Sequence, residues 1–279
     1  MKIKPKKKWL FPFSAEREYQ RFMRDFVKEM YQTTIDQWEL IERIIDSSPA
    51  KQFKNDDTDT EIESLIESIK KTFVNSVTFR DFRNTIRRYA RQVNTFNSNQ
   101  FQEIIKSALG VNVITYEPWI EELMNVWIGD NVRLIKSIPD RYFYEIEGIV
   151  REGWKQGYLT KVAKAEIKAR YMVSLRRAQL IARDQIGKLN GQITEYRQKD
   201  AGIDEYEWMT SRDSRVRVEH QERSGRQFTW NAPPKDGHPG IPINCRCIAQ
   251  PILDTEKISI MGASINPRST RVLHKDGRR

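Results

Sequence analysis

From residue 14 to about residue 200 the apolar residues recur at three-and-four spacing with few interruptions, which restricts the chain to helices packed through amphipathic faces. The first such segment, "SAEREYQRFMRDFVKEMYQTTIDQWELIERII", puts Tyr19, Phe22, Met23, Phe26, Val27, Met30 and Tyr31 on one face and predicts a single long helix. "SSPAKQFKNDDTDT" breaks the pattern and reads as a loop. Further helices are expected around Ile62–Phe73, over "TFRDFRNTIRRYARQV", and from Gln100 to Leu109 with Gly110 as its stop. Three more regions follow: Trp119–Trp127 before Gly129, a segment from Pro139 to Gly157, and a pair at Thr160–Tyr171 and Ser174–Lys199. The aromatic and methionine stripes on these faces read as core.

The pattern changes at Gly202. "RQFTW" and "CRCIAQPIL" resemble strands, while "NAPPKDGHPGIPIN", with four prolines and two glycines, cannot be regular structure. The expected fold class is therefore mainly α, an N-terminal multi-helix region followed by a small α+β C-terminal module. The expected division is a basic tail at 1–13, helices over 14–150, a second region over 151–253 whose module occupies 203–253, and a basic tail at 254–279.

The net charge of +10 has a location. Lys2, Lys4, Lys6, Lys7 and Lys8 stand near the start without an acid among the first ten residues, and Arg268, Arg271, Lys275, Arg278 and Arg279 stand near the end against Asp276. These ends read as too polar and too short to pack. They would meet DNA or an acidic protein surface, or simply aid solubility. No apolar run approaches the roughly 20 residues of a membrane span. The lysine-rich start resembles a signal peptide only as far as Phe13, so the expectation is a protein made in the cytoplasm.

Both cysteines lie in "HPGIPINCRC". His220, His238, Cys245 and Cys247 would make a closed two-nitrogen, two-sulfur set for a structural zinc, although a Cys-x-Cys pair in a straight strand separates its sulfurs along one face and would need a bend to hold one ion. The other reading is that the cysteines pack as small hydrophobes and the histidine satisfies backbone groups. Asp213 beside Arg215 and Arg217 reads as a cap with an ion pair, and Arg246 as an anchor for an acid or a carbonyl. A cysteine nucleophile with histidine and aspartate as base and orienter, or a nuclease site of histidine and acid near basic residues, is the enzyme alternative. No phosphate loop, dinucleotide glycine motif or metal carboxylate set accompanies it, and the expectation is a protein that is not an enzyme.

The ordered set "ARDQIGKLNGQITEYRQKDAGI", "YEWMTSRDSRVRVEH", "SGRQF", "PP" and "HPGIPINCRCIAQPI" resembles the C-terminal domain of the phage Mu F-like minor head, or head morphogenesis, proteins over roughly residues 150–253. Asp213, Arg215, Arg217, His220, Gly225, Asn244, Cys245, Arg246, Cys247 and Pro251 carry the resemblance. Some members carry Cys-x-x-Cys where this chain has Arg217 and His220, a departure that bears on any inherited metal site. The resemblance implies a minor capsid protein of the phage head interior, acting in head morphogenesis at the portal vertex. Its implied partners are the portal protein, a major capsid or scaffold protein, and viral DNA during packaging or ejection. The rival reading is a zinc-stabilised nucleic-acid-binding module with no assembly role.

Overall fold

The computed structural model describes residues 1–48, 57–111 and 117–255. Among them are seven helices: α1 (Phe13–Ile35), α2 (Trp38–Asp46), α3 (Asp57–Val74), α4 (Val77–Leu109), α5 (Ile120–Gln156), α6 (Thr160–Asp200) and α7 (Val218–Arg223). The strands are β1 (Lys2–Ile3), β2 (Glu205–Met209), β3 (Gln227–Thr229) and β4 (Ile248–Asp254), in one antiparallel sheet of order β1-β4-β2-β3. The expected class, mainly α with a small α+β module near the C-terminus, is the one observed.

Several expected helix boundaries differ. The first long helix breaks after Ile35, where the Thr33 and Thr34 hydroxyls bond back to the Glu29 and Met30 carbonyls, a pairing that loosens a helix end. Conversely, three pairs of expected helices are single helices, α4, α5 and α6. In α4 the stretch between the two expected helices contains Asn97, which is buried and gives its amide to the Asn190 side chain at 3.0 Å and the Thr194 hydroxyl at 2.7 Å. In α5 the helix passes through Pro139, a site whose intrinsic cost is about 3 kcal/mol. Ile135, Ile138, Tyr142 and Phe143 are buried on both sides of it, and that packing holds the helix together.

One compact unit consists of 16–89 and 127–183. Its core is aromatic: Phe26 meets Phe73 edge-on at 5.2 Å, and Phe73 meets Phe79 in the same way at 5.4 Å. Buried hydroxyls there find partners, as Tyr19 donates to the Asn131 side chain at 2.8 Å.

The other unit consists of 1–15, 90–126 and 184–279, of which the structure describes residues up to 255 apart from 112–116. It carries the sheet. Here the expectation of a solvated N-terminal tail is corrected. β1 pairs with β4, with Ile3 opposite Leu253, and Trp9 is fully buried in a cluster with Phe101, Ile104, Ile105, Ile203 and Leu253. Gln250 clamps the same segment, accepting from the Trp9 N–H at 2.6 Å and donating to the Lys7 carbonyl at 2.9 Å. The lysines that made the segment look unpackable are met by carboxylates: Lys2 by Glu205, Lys4 by Glu207 and Lys7 by Glu103. Pro251 sits inside β4 opposite Tyr206. β1 reaches only Leu253 and Asp254, so β4 has a strand neighbour on one side alone at the proline, where a missing N–H is tolerated.

Within this unit α6 presents Gly187 and Gly191 to the segment that carries the cysteines. A Cβ on Gly187 would lie 2.7 Å from the Cys245 carbonyl oxygen, and one on Gly191 2.6 Å from the Pro239 carbonyl oxygen. Gly240, at φ +91°, approaches equally closely: its own Cβ would meet the Gly187 oxygen at 2.6 Å. The loop backbone thus rests directly on the helix backbone, which only these three glycines permit. Asp184, one turn earlier on α6, accepts from the Asn244 N–H at 3.0 Å and fixes the far end of the loop.

Candidate metal centre

The cysteines do not belong to a strand. β4 begins at Ile248, and the chain before it turns at Asn244, whose φ of +58° supplies the bend that a straight Cys-x-Cys lacks. As a result both sulfurs face one nitrogen. Cys245 Sγ lies 3.6 Å and Cys247 Sγ 3.5 Å from His220 Nδ1, and the three ligand atoms lie within 4.8 Å of one another. His220 comes from α7, and its ring stands edge-on to Trp208 of β2 at 5.1 Å. All three residues are at most 4% exposed. Both cysteines are free thiols.

The other face of His220 is held as firmly. Nε2 lies 2.9 Å from the Asp236 carboxylate, which also accepts from Arg223 at 2.5 Å. Burial pushes the Asp236 carboxyl up, but His220 and Arg223 outweigh it and hold the group below the ordinary carboxylate value. Hydrogen bonding to Cys245, then to Asp236, raises His220.

The Gly240 N–H donates to Cys245 Sγ at 3.4 Å. Cys247 packs in one buried cluster with the indole of Trp208. That indole N–H is buried without an ordinary hydrogen-bond partner. Hydrogen bonding from the Cys247 thiol, ahead of the other donors, lowers Cys245, while Cys247 is pushed up by its hydrogen bond to Cys245 and by burial.

His238 is elsewhere. Its Nδ1 lies 2.8 Å from the Tyr206 hydroxyl and its Nε2 3.1 Å from the Trp230 carbonyl, and burial lowers its pKa. It packs among Tyr206 and Trp230 and is not in the cluster of three.

The remaining motif residues brace the loops. Asp213 accepts from the Arg215 N–H at 2.9 Å, the Ser211 hydroxyl at 3.1 Å and Arg246 at 3.2 Å. Arg217 donates to the Ile243 carbonyl at 2.7 Å. Gly225, at φ +82°, closes its turn by giving its N–H to the Trp208 carbonyl at 2.8 Å. Sequence reasoning named His220, Cys245 and Cys247 but missed Asp236, Trp208, Asp184 and the two α6 glycines. Of these only the spacing of Gly187 and Gly191, four apart on one helix face, was a signal in the sequence. Among the N-terminal lysines, Lys6 and Lys8 are exposed, whereas Lys2, Lys4 and Lys7 make the ion pairs described above. Arg268, Arg271, Lys275, Arg278 and Arg279 lie outside the described residues.

Comparison with known proteins gives a match to the family described as "Phage Mu protein F like protein" over residues 144–250. A protein of Haemophilus influenzae, described as an "uncharacterized protein", is 36% identical over 165 residues, which are 58% of this chain and 37% of that one. The chain thus spans well under half of that relative's length. No solved structure matches. The matched stretch runs from the middle of α5 into β4 and includes the braced turn of Asp213, the α6 glycines and the whole cysteine–histidine cluster. Residues 144–250 are thus similar to the Phage Mu protein F like family, and the sulfur–imidazole cluster lies inside the matched stretch.

Proposed function

We propose that this protein is a minor head protein acting in phage head morphogenesis, bound inside the procapsid at the portal vertex. The observation that carries the reading is the family match, which covers the module built around the cluster. The burial of His220, Cys245 and Cys247 supports a structural role over a catalytic one, because a nucleophile so enclosed does not meet a macromolecular substrate. Among the described residues no helix is long and apolar enough to cross a membrane. In this reading the protein resides in the virion and its partners are the portal protein, capsid or scaffold subunits, and DNA. The DNA contact falls to Lys6, Lys8 and the C-terminal basic residues, since Lys2, Lys4 and Lys7 already face carboxylates.

The test is coexpression of the full chain with the portal protein of the same phage, followed by size-exclusion chromatography and native mass spectrometry. Co-migration with the portal ring is expected. Absence of any complex, together with normal DNA-filled heads from phage lacking the protein, would overturn the assignment.

A further inference from the structure

We infer that His220 Nδ1, Cys245 Sγ and Cys247 Sγ are the three protein ligands of a structural zinc ion, with Asp236 as the carboxylate that orients the imidazole.

The distances carry the argument. A tetrahedral zinc with its ordinary bonds to sulfur (about 2.3 Å) and imidazole nitrogen (about 2.0–2.1 Å) sets each sulfur about 3.6 Å from the nitrogen. The two observed separations are 3.6 and 3.5 Å. A single linear hydrogen bond at Nδ1 satisfies only one of the two sulfurs, because one ring nitrogen offers either one proton or one lone pair. Two sulfurs at equal distance fit an ion placed between them and the nitrogen.

The surroundings agree with the same ion. Metal-bound histidines usually give their second N–H to a carboxylate, which fixes the tautomer and leaves the other lone pair for the metal. Asp236, at 2.9 Å from Nε2 and itself pinned by Arg223, stands in that place. The Gly240 N–H at 3.4 Å from Cys245 Sγ and the buried, otherwise unpartnered indole N–H of Trp208, which packs in the same cluster as the cysteines, suit anionic sulfur. Thiolate with imidazole favours zinc over the hard divalent ions magnesium and calcium. Such an ion would join α7 to the loop entering β4, which explains why a module with a four-stranded sheet and a proline-rich loop holds its shape. His238 is excluded as a fourth ligand by its bonds to Tyr206 and the Trp230 carbonyl.

The experiment is elemental mass spectrometry on the tag-free full chain purified without chelator, with cobalt(II) reconstitution of stripped protein followed by absorption. About one zinc per chain is expected, with the thiolate-to-cobalt charge-transfer band of a two-sulfur site. Cys245→Ser, Cys247→Ser and His220→Ala should each reduce metal to background, whereas His238→Gln should retain it. Because those three variants can fail by unfolding, Asp236→Asn supplies the second arm: it should keep full stoichiometry at saturating zinc but weaken affinity about 10- to 100-fold in competition with a chromophoric chelator. Background zinc in the wild type with no cobalt band would overturn the inference. Loss of metal in His238→Gln as complete as in His220→Ala, or unchanged affinity in Asp236→Asn, would overturn the assigned ligand set.

Discussion

Replacing Gly191 with alanine tests whether the cysteine loop really lies backbone to backbone on α6. Helix propensity taken alone predicts a gain of about 1 kcal/mol, since glycine is the poorest ordinary residue in a helix interior. The structure predicts the opposite sign. The new methyl would stand 2.6 Å from the Pro239 carbonyl oxygen and 3.2 Å from Gly240 Cα, and neither atom belongs to a side chain that could rotate away. Overpacking of this kind costs about 1–3 kcal/mol and more where backbone must move. Here the move would pull Gly240 from the Cys245 sulfur, to which its N–H donates at 3.4 Å. Set against the propensity gain, the net loss is about 2 kcal/mol at the upper end of that range, or a fall of roughly 4–8 °C in Tm for a chain of this size. The internal control is Gly148→Ala in α5, where a Cβ meets nothing within 4 Å and the propensity gain of about 1 kcal/mol should appear undiminished. Thermal melts followed by circular dichroism measure both. A G191A protein that melts at or above wild type, in step with G148A, would refute the close approach of loop and helix.

Trp9→Ala should cost about 3–5 kcal/mol by urea denaturation, because it empties a fully buried position beside Phe101, Ile105 and Leu253; a solvated N-terminal tail would give no change. Asp213 should shape the acid limb of stability. Burial raises its carboxyl, but the Arg215 N–H, the Ser211 hydroxyl and Arg246 together hold it below 3.8, so its contribution is present above that value and lost as pH falls through the depressed folded value. Asp213→Asn should therefore lower Tm at neutral pH and flatten the decline below pH 4, read from melts over a pH series; parallel curves for the two proteins would contradict the assignment.

Helix identity was legible in the sequence because amphipathic periodicity is a local property: the face of Tyr19, Met23, Phe26 and Met30 is buried as its spacing requires. Helix length was not. Asn97, Gly129 and Pro139 are breakers by local chemistry, yet each lies inside a continuous helix. At Asn97 the decisive partners, Asn190 and Thr194, are about a hundred residues away in the chain. The lysine-rich start misled for the same reason, since Glu205, Glu207 and Glu103 are distant in sequence and adjacent only after folding.

At the cluster the division is equally physical. Residue type and order named two cysteines and two histidines, because thiolate and imidazole are the ordinary protein ligands of zinc. Which histidine meets the sulfurs is settled by the turn at Asn244 and the placement of α7, and these bring His220 in while Tyr206 and the Trp230 carbonyl hold His238 away. The sequence by itself determined the helical character and the chemistry available. The tertiary structure decided where the helices end, that the first residues complete a sheet, and which three ligand atoms converge, because each outcome depends on contacts between residues far apart in the chain.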